Sequence, residues 1–213
     1  MNPTPALLPC AVFPPWAWFQ WANHPKSRVC VHEHFVKQSV RNRVPLAGAR
    51  GAFDLTLPVH RRHADSRCIA DIRFTDRVNP GLLLKPLQTN YGSAPFFDHF
   101  LPEVAAWAET HLRPKHALVD AALASTKWAC ALLGRAHPSP TTSYEAAATG
   151  MRDCRPKVAW RGLETPRYPQ VFEDRLGFVH NRSILDVVFH LGPEASTLPS
   201  RHGNTPPPAN RPA

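Results

Sequence analysis

Ala6-Leu7-Leu8-Pro9-Cys10-Ala11-Val12-Phe13, Pro14-Pro15, Trp16-Ala17-Trp18-Phe19-Gln20-Trp21-Ala22 and Arg28-Val29-Cys30-Val31 together decide the fold. The first run reads as a short buried strand, with Pro9 asking for an edge or a first position because it has no N–H to give a ladder. Pro14-Pro15 turns the chain, and Pro15 suits the first position of a helix, where no backbone donor is lost, so Trp16 to Ala22 is expected to be helical. Asn23 to Ser27 closes that helix, and residues 28–31 alternate as a second strand. Strand, helix, strand is the seed of a parallel sheet. Its ligand edge would carry the loop Phe13-Pro14-Pro15-Trp16 and the residues His32 to His34.

Beyond that edge lies His32-Glu33-His34-Phe35-Val36-Lys37-Gln38-Ser39-Val40-Arg41-Asn42-Arg43. Lys37 and Arg41 are four apart and would share a face of a helical turn, with Arg43 a step further. Guanidinium groups grip phosphate or carboxylate through paired donors, lysine adds a point charge, and Gln38 and Asn42 can read a neighbouring hydroxyl or carbonyl. The competing reading is a solvated basic edge. His32 and His34 flank Glu33, but a strand would give these two imidazoles no third ligand, so no metal is assigned.

Further along, Val44-Pro45-Leu46 is expected to pair through the glycine turn 47–51 with a strand at Phe53 to Val59. Cys68 to Phe74 alternates as another strand, which would end a sheet of four or five strands near Thr75. From Asn79 the character turns helical. A short helix over Leu82 to Asn90 is kinked or delayed by Pro86, an amphipathic one runs from Phe100 to Leu112, and a third spans Lys115 to Leu133 and stops at Gly134. Pro138 to Thr142 reads as a polar loop and Val158-Ala159-Trp160 as a short strand. Ser183 caps a last apolar helix, Ile184 to Leu191, with Asp186 placed to return a hydrogen bond and Gly192-Pro193 ending it. Capping alone could account for Asn181, Ser183 and Asp186. The expected class is therefore α/β: an N-terminal Rossmann-like mixed or parallel sheet followed by a mainly helical C-terminal part. One domain over 1–195 is sheet-rich at 6–75 and helix-rich at 79–192, and 196–213 is a Pro-rich disordered tail.

The chain has 213 residues, a formal charge of +9 and twelve histidines, with a pI near 9.8. Anionic partners follow from that charge, whether small phosphorylated molecules, nucleic acid or a membrane surface. Five widely spread cysteines with no C-x-x-C pair argue for reduced thiols and a cytoplasmic protein rather than a disulfide framework. No secretory signal and no membrane span is expected.

Several ordered blocks resemble the WbqC-like protein family. They are Phe13-Pro14-Pro15 with the aromatic helix, His32 to Arg43, Leu55-Thr56-Leu57-Pro58-Val59, Tyr91-Gly92-Ser93-Ala94-Pro95-Phe96-Phe97, Arg155-Pro156-Lys157, Tyr168-x-Gln170-Val171-Phe172, and Phe178 to Glu194. The chain departs from the family pattern where Pro80 to Leu87 offers neither the tryptophan nor the histidine common upstream of the Tyr-Gly block, and at Arg182 and His190. The resemblance implies work among genes for cell-surface polysaccharide such as O-antigen, on activated sugars or their modifying groups.

On that basis the chain is expected to be a transferase-type enzyme with an anionic small-molecule partner such as an activated sugar or acyl donor, and without a cofactor. Lys37, Gln38, Arg41, Asn42, Arg43, Tyr91, Gln170, Asn181 and Ser183 would bind substrate or anion, while His32 (or His34), Glu33 and Asp186 would supply the acid–base chemistry. These blocks are expected to meet in one pocket. A nucleic-acid-binding protein is the second reading, suggested by charge and by Trp16, Trp18, Phe19 and Trp21. It is disfavoured because no lysine or arginine interleaves those aromatics. A noncatalytic scaffold of a biosynthetic complex is the third.

Overall fold

The computed structural model describes residues 4–60, 66–160 and 162–199. The opening unit forms as expected: β1 (Ala6–Pro9), α1 (Trp16–Ala22) and β2 (Arg28–Cys30), with β1 and β2 parallel in the register Leu7 to Arg28. Trp16, Trp18 and Phe19 are buried, and the Trp18 indole donates to the Pro9 carbonyl at 3.0 Å. These three aromatics are therefore core, while Trp21 is half-buried with the Arg152 guanidinium over its ring at 5.3 Å.

Contrary to the edge expected from Pro9, β1 is an inner strand. The parallel sheet has the order β5-β2-β1-β6, where β5 is Ser139–Pro140 and β6 is Arg152–Asp153. Proline is accommodated because pairing with β6 stops at Leu7, leaving no strand opposite Pro9 on that side. The sheet is thus completed from the C-terminal half rather than ending near Thr75. Segments of two residues cannot show alternation, so nothing in their sequence marks them as strands.

A separate antiparallel hairpin joins β3 (Arg43–Gly48) to β4 (Gly51–Thr56), as the glycine turn implied. Cys68 to Phe74 is not a strand. It holds a 3₁₀ turn at Ile69–Asp71, and its backbone groups are spent on three different neighbours, Ile69 N–H donating to Glu33 O, Phe74 N–H to His116 O, and Arg73 O accepting from His60 N–H. Ile69, Ile72 and Phe74 are still buried, so the apolar spacing reports their burial but not the partners of their backbone. Lys157–Trp160 is likewise a 3₁₀ turn rather than a strand.

The helices α2 (Gly81–Tyr91), α3 (Phe97–His111) and α4 (Leu118–Leu132) follow the 3.6-residue apolar pattern, and α3 packs on α2, α4 and α6. After the short α5 (Glu173–Leu176), α6 (Ile184–Leu191) is buried from Ile184 to His190, with Leu191 at intermediate exposure. Ser183 Oγ caps it by accepting from Leu185 N–H at 3.2 Å while donating to Phe13 O at 2.8 Å. One helix start is thereby stapled to the β1–α1 loop. A final 3₁₀ stretch, Gly192–Thr197, runs into the segment expected as tail; residues 200–213 of that segment lie outside the described residues.

Candidate functional site

Loops that leave the carboxyl ends of three parallel strands converge on a cavity of about 330 Å³. Pro15 comes from the loop after β1, Gln38 to Arg41 from the loop after β2, and Arg155, Lys157 and Trp160 from the segment after β6. The chain order reverses between β1 and β6, and crevices at such reversals are where open α/β sheets bind ligands. The hairpin supplies Arg43, Pro45 and Asp54, and the approach to α6 supplies Asn181 and Arg182. Three hydrogen bonds fix that approach: Trp16 N–H to Arg182 O at 2.9 Å, Ser183 N–H to Pro45 O at 2.7 Å, and Ile184 N–H to Pro14 O at 2.9 Å.

Two lining residues, Gln38 (φ 53°) and Asn181 (φ 53°), are held in left-handed backbone, and Phe13 beside them has φ 41°. Non-glycine residues in that region carry strain that tends to gather at functional sites. Asn181 Oδ1 accepts from Ala17 N–H at 3.2 Å, and its own N–H donates to Thr165 Oγ1 at 3.0 Å.

Five cationic side chains line the cavity, but they are not equivalent. Arg41, 1 % exposed, forms a two-pronged ion pair with Glu33, its Nε donating to Oε1 at 3.0 Å and its Nη2 to Oε2. Further donations reach Ser39 Oγ at 3.2 Å and Arg155 O at 3.3 Å. Burial pushes the Glu33 carboxyl above its usual range, and Arg41 opposes that shift. Arg155 is spent in the same way, its Nε and Nη2 each 2.8 Å from the Asp153 carboxylate and its Nη1 2.7 Å from Glu145 O. Burial alone would raise Asp153, but the hydrogen bonds and charge of Arg155 outweigh it and hold the carboxyl below its usual range. Arg43 meets Asp54 at 3.4 Å in a partly exposed contact. Lys157 and Arg182 have no acidic partner among the described residues; Arg182 donates only to His180 O and Leu46 O.

The chain belongs to the WbqC-like protein family. The family model matches residues 11–153, which brings in the loops after β1 and β2 and the whole hairpin, whereas Arg155, Lys157, Trp160, Asn181 and Arg182 lie beyond the match. No curated protein and no solved structure matches the chain. Within this WbqC-like chain, the residues picked from sequence separate into three groups.

Gln38, Arg41, Arg43 and Asn181 do meet at the cavity. Lys37 is exposed and off it, because residues 35–42 form turns rather than the helix that would have aligned Lys37 with Arg41. Asn42 instead ties two segments together, its Nδ2 donating to Leu57 O at 2.8 Å while its backbone carbonyl accepts from Leu57 N–H at 2.8 Å. His32, His34 and Glu33 do not line the cavity.

Tyr91, Gln170 and Asp186 form a second, separate group with His190 around a water-sized gap of about 10 Å³. Asp186 Oδ1 accepts from the Tyr168 hydroxyl at 2.9 Å and from Gln170 Nε2 at 3.0 Å, while Oδ2 has no hydrogen-bond partner among the described residues. Burial pushes this carboxyl above its usual range, against the opposing influence of His190 and those donors. Val171 N–H donates to His190 Nε2 at 2.9 Å, so Nδ1 carries the proton facing Asp186 O at 2.6 Å. Asp186 therefore does not return a hydrogen bond to its own helix start, and Ser183 does its capping alone.

Sequence reading missed Asp54 and Trp160 as wall residues, included Arg182 only within the stretch 181–186 and without a role, and placed Arg155 and Lys157 in a resemblance block without assigning them to a site. The alternating Arg155-Pro156-Lys157 charge was the available signal. All five cysteines are unpaired; burial raises Cys30 to about 12 and Cys130 to about 11, so these thiols stay protonated and unreactive. No helix among the described residues is long and apolar enough to cross a membrane.

Proposed function

We propose that this WbqC-like protein is a group-transfer enzyme of cell-surface polysaccharide or O-antigen biosynthesis that takes an anionic activated donor in the cavity at the sheet edge. The observation that carries this reading is the pair of uncompensated cations, Lys157 and Arg182, in a concave site of about 330 Å³, a volume within the range of small-molecule sites. Cations gathered at one concave site stabilise charge that develops on a leaving phosphate. Asp54 is the one carboxylate lining the cavity among the described residues, and the general-base role passes to it from His32, Glu33 and Asp186. In this reading an acceptor O–H or N–H gives its proton to Asp54 and attacks the donor. The bond to the leaving group then breaks, with its electron pair and charge taken up beside Lys157 and Arg182.

The test is thermal unfolding with a panel of nucleotide sugars and acyl donors. A bound donor at one hundred times its Kd adds about 2.7 kcal/mol, roughly 5–10 °C for a chain of this size. Lys157→Ala and Arg182→Ala should abolish the shift while leaving the unliganded melting temperature within a few degrees. No shift with any member of the panel refutes the proposal, and salt-sensitive retention of single-stranded nucleic acid in its place would favour a binding protein.

A further inference from the structure

The lining of the cavity at the sheet edge narrows the chemistry of the donor. Building on the reading of that cavity as an anion site, we infer that it takes a nucleoside diphosphate group, with the pyrophosphate between Lys157 and Arg182 and the base against the ring of Trp160. The charge count comes first. Of the five lining cations, Arg41 and Arg155 are cancelled by the two-pronged partners Glu33 and Asp153, and Arg43 shares its charge with Asp54. Two unit charges are left over, matching the two negative charges of a pyrophosphate diester. A single carboxylate would leave one of those cations unmatched.

Trp160 supplies the second element. Its indole N–H donates to Cys154 O at 2.8 Å, and its ring packs against that of Trp21 with centroids 4.9 Å apart at 62°. The ring is thus held by one hydrogen bond and one ring contact, and it remains only partly buried where it lines the cavity. A fixed aromatic ring one short turn from an unpaired lysine is the combination that holds a base by its face and a phosphate by its charge. Gln38, also on the lining and without a side-chain partner among the described residues, offers one acceptor and two donors for a base edge. The inward face of the cavity adds Pro15, Val40 and Pro45, which suit the ribose and ring carbons.

The experiment is calorimetric titration of the whole chain at fixed ionic strength with UDP, CDP, GDP, ADP and inorganic pyrophosphate. At least one nucleoside diphosphate should bind about tenfold or more tightly than pyrophosphate, the worth of one base stack. Trp160→Ala should remove that advantage and leave pyrophosphate binding unchanged, whereas Lys157→Ala with Arg182→Ala should weaken both. Trp160→Phe keeps a ring and should keep most of the preference, and the nucleotide quenching of tryptophan emission expected of the native protein should be missing from this variant. If pyrophosphate and every nucleotide bind equally, or if quenching persists in Trp160→Phe, the nucleoside assignment fails while the anion site stands. If the native protein binds none of these probes, the anion site fails with it.

Discussion

Replacing Arg41 by alanine is expected to lower stability by about 3–5 kcal/mol, because the change removes one member of a buried ion pair and leaves the other behind. The guanidinium is 1 % exposed and Glu33 4 %; two of its bonds go to Glu33, one to Ser39 Oγ and one to Arg155 O. Against a total stability of about 5–15 kcal/mol for a folded domain, that loss takes a fifth or more of the margin. Exchanging both members for apolar residues of similar size, Glu33→Leu with Arg41→Met, should recover most of it, since no charge is then stranded. Urea unfolding followed by far-ultraviolet circular dichroism measures both effects, provided the slope with denaturant is unchanged. The pH dependence gives a second readout. With Arg41 gone, the burial that raises Glu33 loses its main opponent and only Arg155 and a backbone hydrogen bond from Cys10 still act against it, so the folded state of Arg41→Ala holds a proton that the unfolded chain has released. Its stability then falls as pH rises from the usual carboxylate range through the raised folded value, and the deficit against the native protein widens. A loss below about 1 kcal/mol, the size of an exposed ion pair, or a deficit constant with pH, would refute the assignment. Arg41→Ala is also the wrong variant for testing ligand contact, because it would abolish binding by loosening the cavity wall.

Asp186→Asn keeps an acceptor for Tyr168 and Gln170 and removes a carboxyl whose folded value is raised by burial. Native stability should fall by up to about 1.4 kcal/mol per pH unit between the usual carboxylate range and that raised value, so the variant's advantage grows with pH over that window. Urea midpoints that differ by the same amount at pH 5 and pH 8 would contradict this. Ser183→Ala loses the α6 cap and the bond to Phe13 O and should cost about 1–2 kcal/mol, measured by the same unfolding curves; no change would mean the staple is idle. Gly192→Ala should destabilise by more than the cap, since Gly192 has φ 54° and a Cβ there would stand 2.5 Å from the Phe96 ring; a soluble variant with native melting temperature would overturn that. Lys157→Ala, exposed and unpaired, should leave stability within about 0.5 kcal/mol.

The elements that could be read in advance were those whose own residues settle the backbone. Pro15 before an aromatic helix, the glycine turn between two alternating segments, and Ser183 before an apolar run each carry a local reason, and α1, the β3–β4 hairpin and α6 form accordingly. Elements decided by a distant partner could not be read: β5 and β6 are strands only because β2 and β1 lie beside them. The site divides along the same line. Residues 32–43 hold three cations, Lys37, Arg41 and Arg43, but Arg41 is spent on the carboxylate eight residues before it in the same stretch. The lining cations left without an acidic partner, Lys157 and Arg182, come from the segments after β6 and before α6. A net charge of +9 counts paired and unpaired groups alike, and only the unpaired ones can hold an anion. An anion site is therefore better sought where unpaired cations are brought together by segments far apart in sequence.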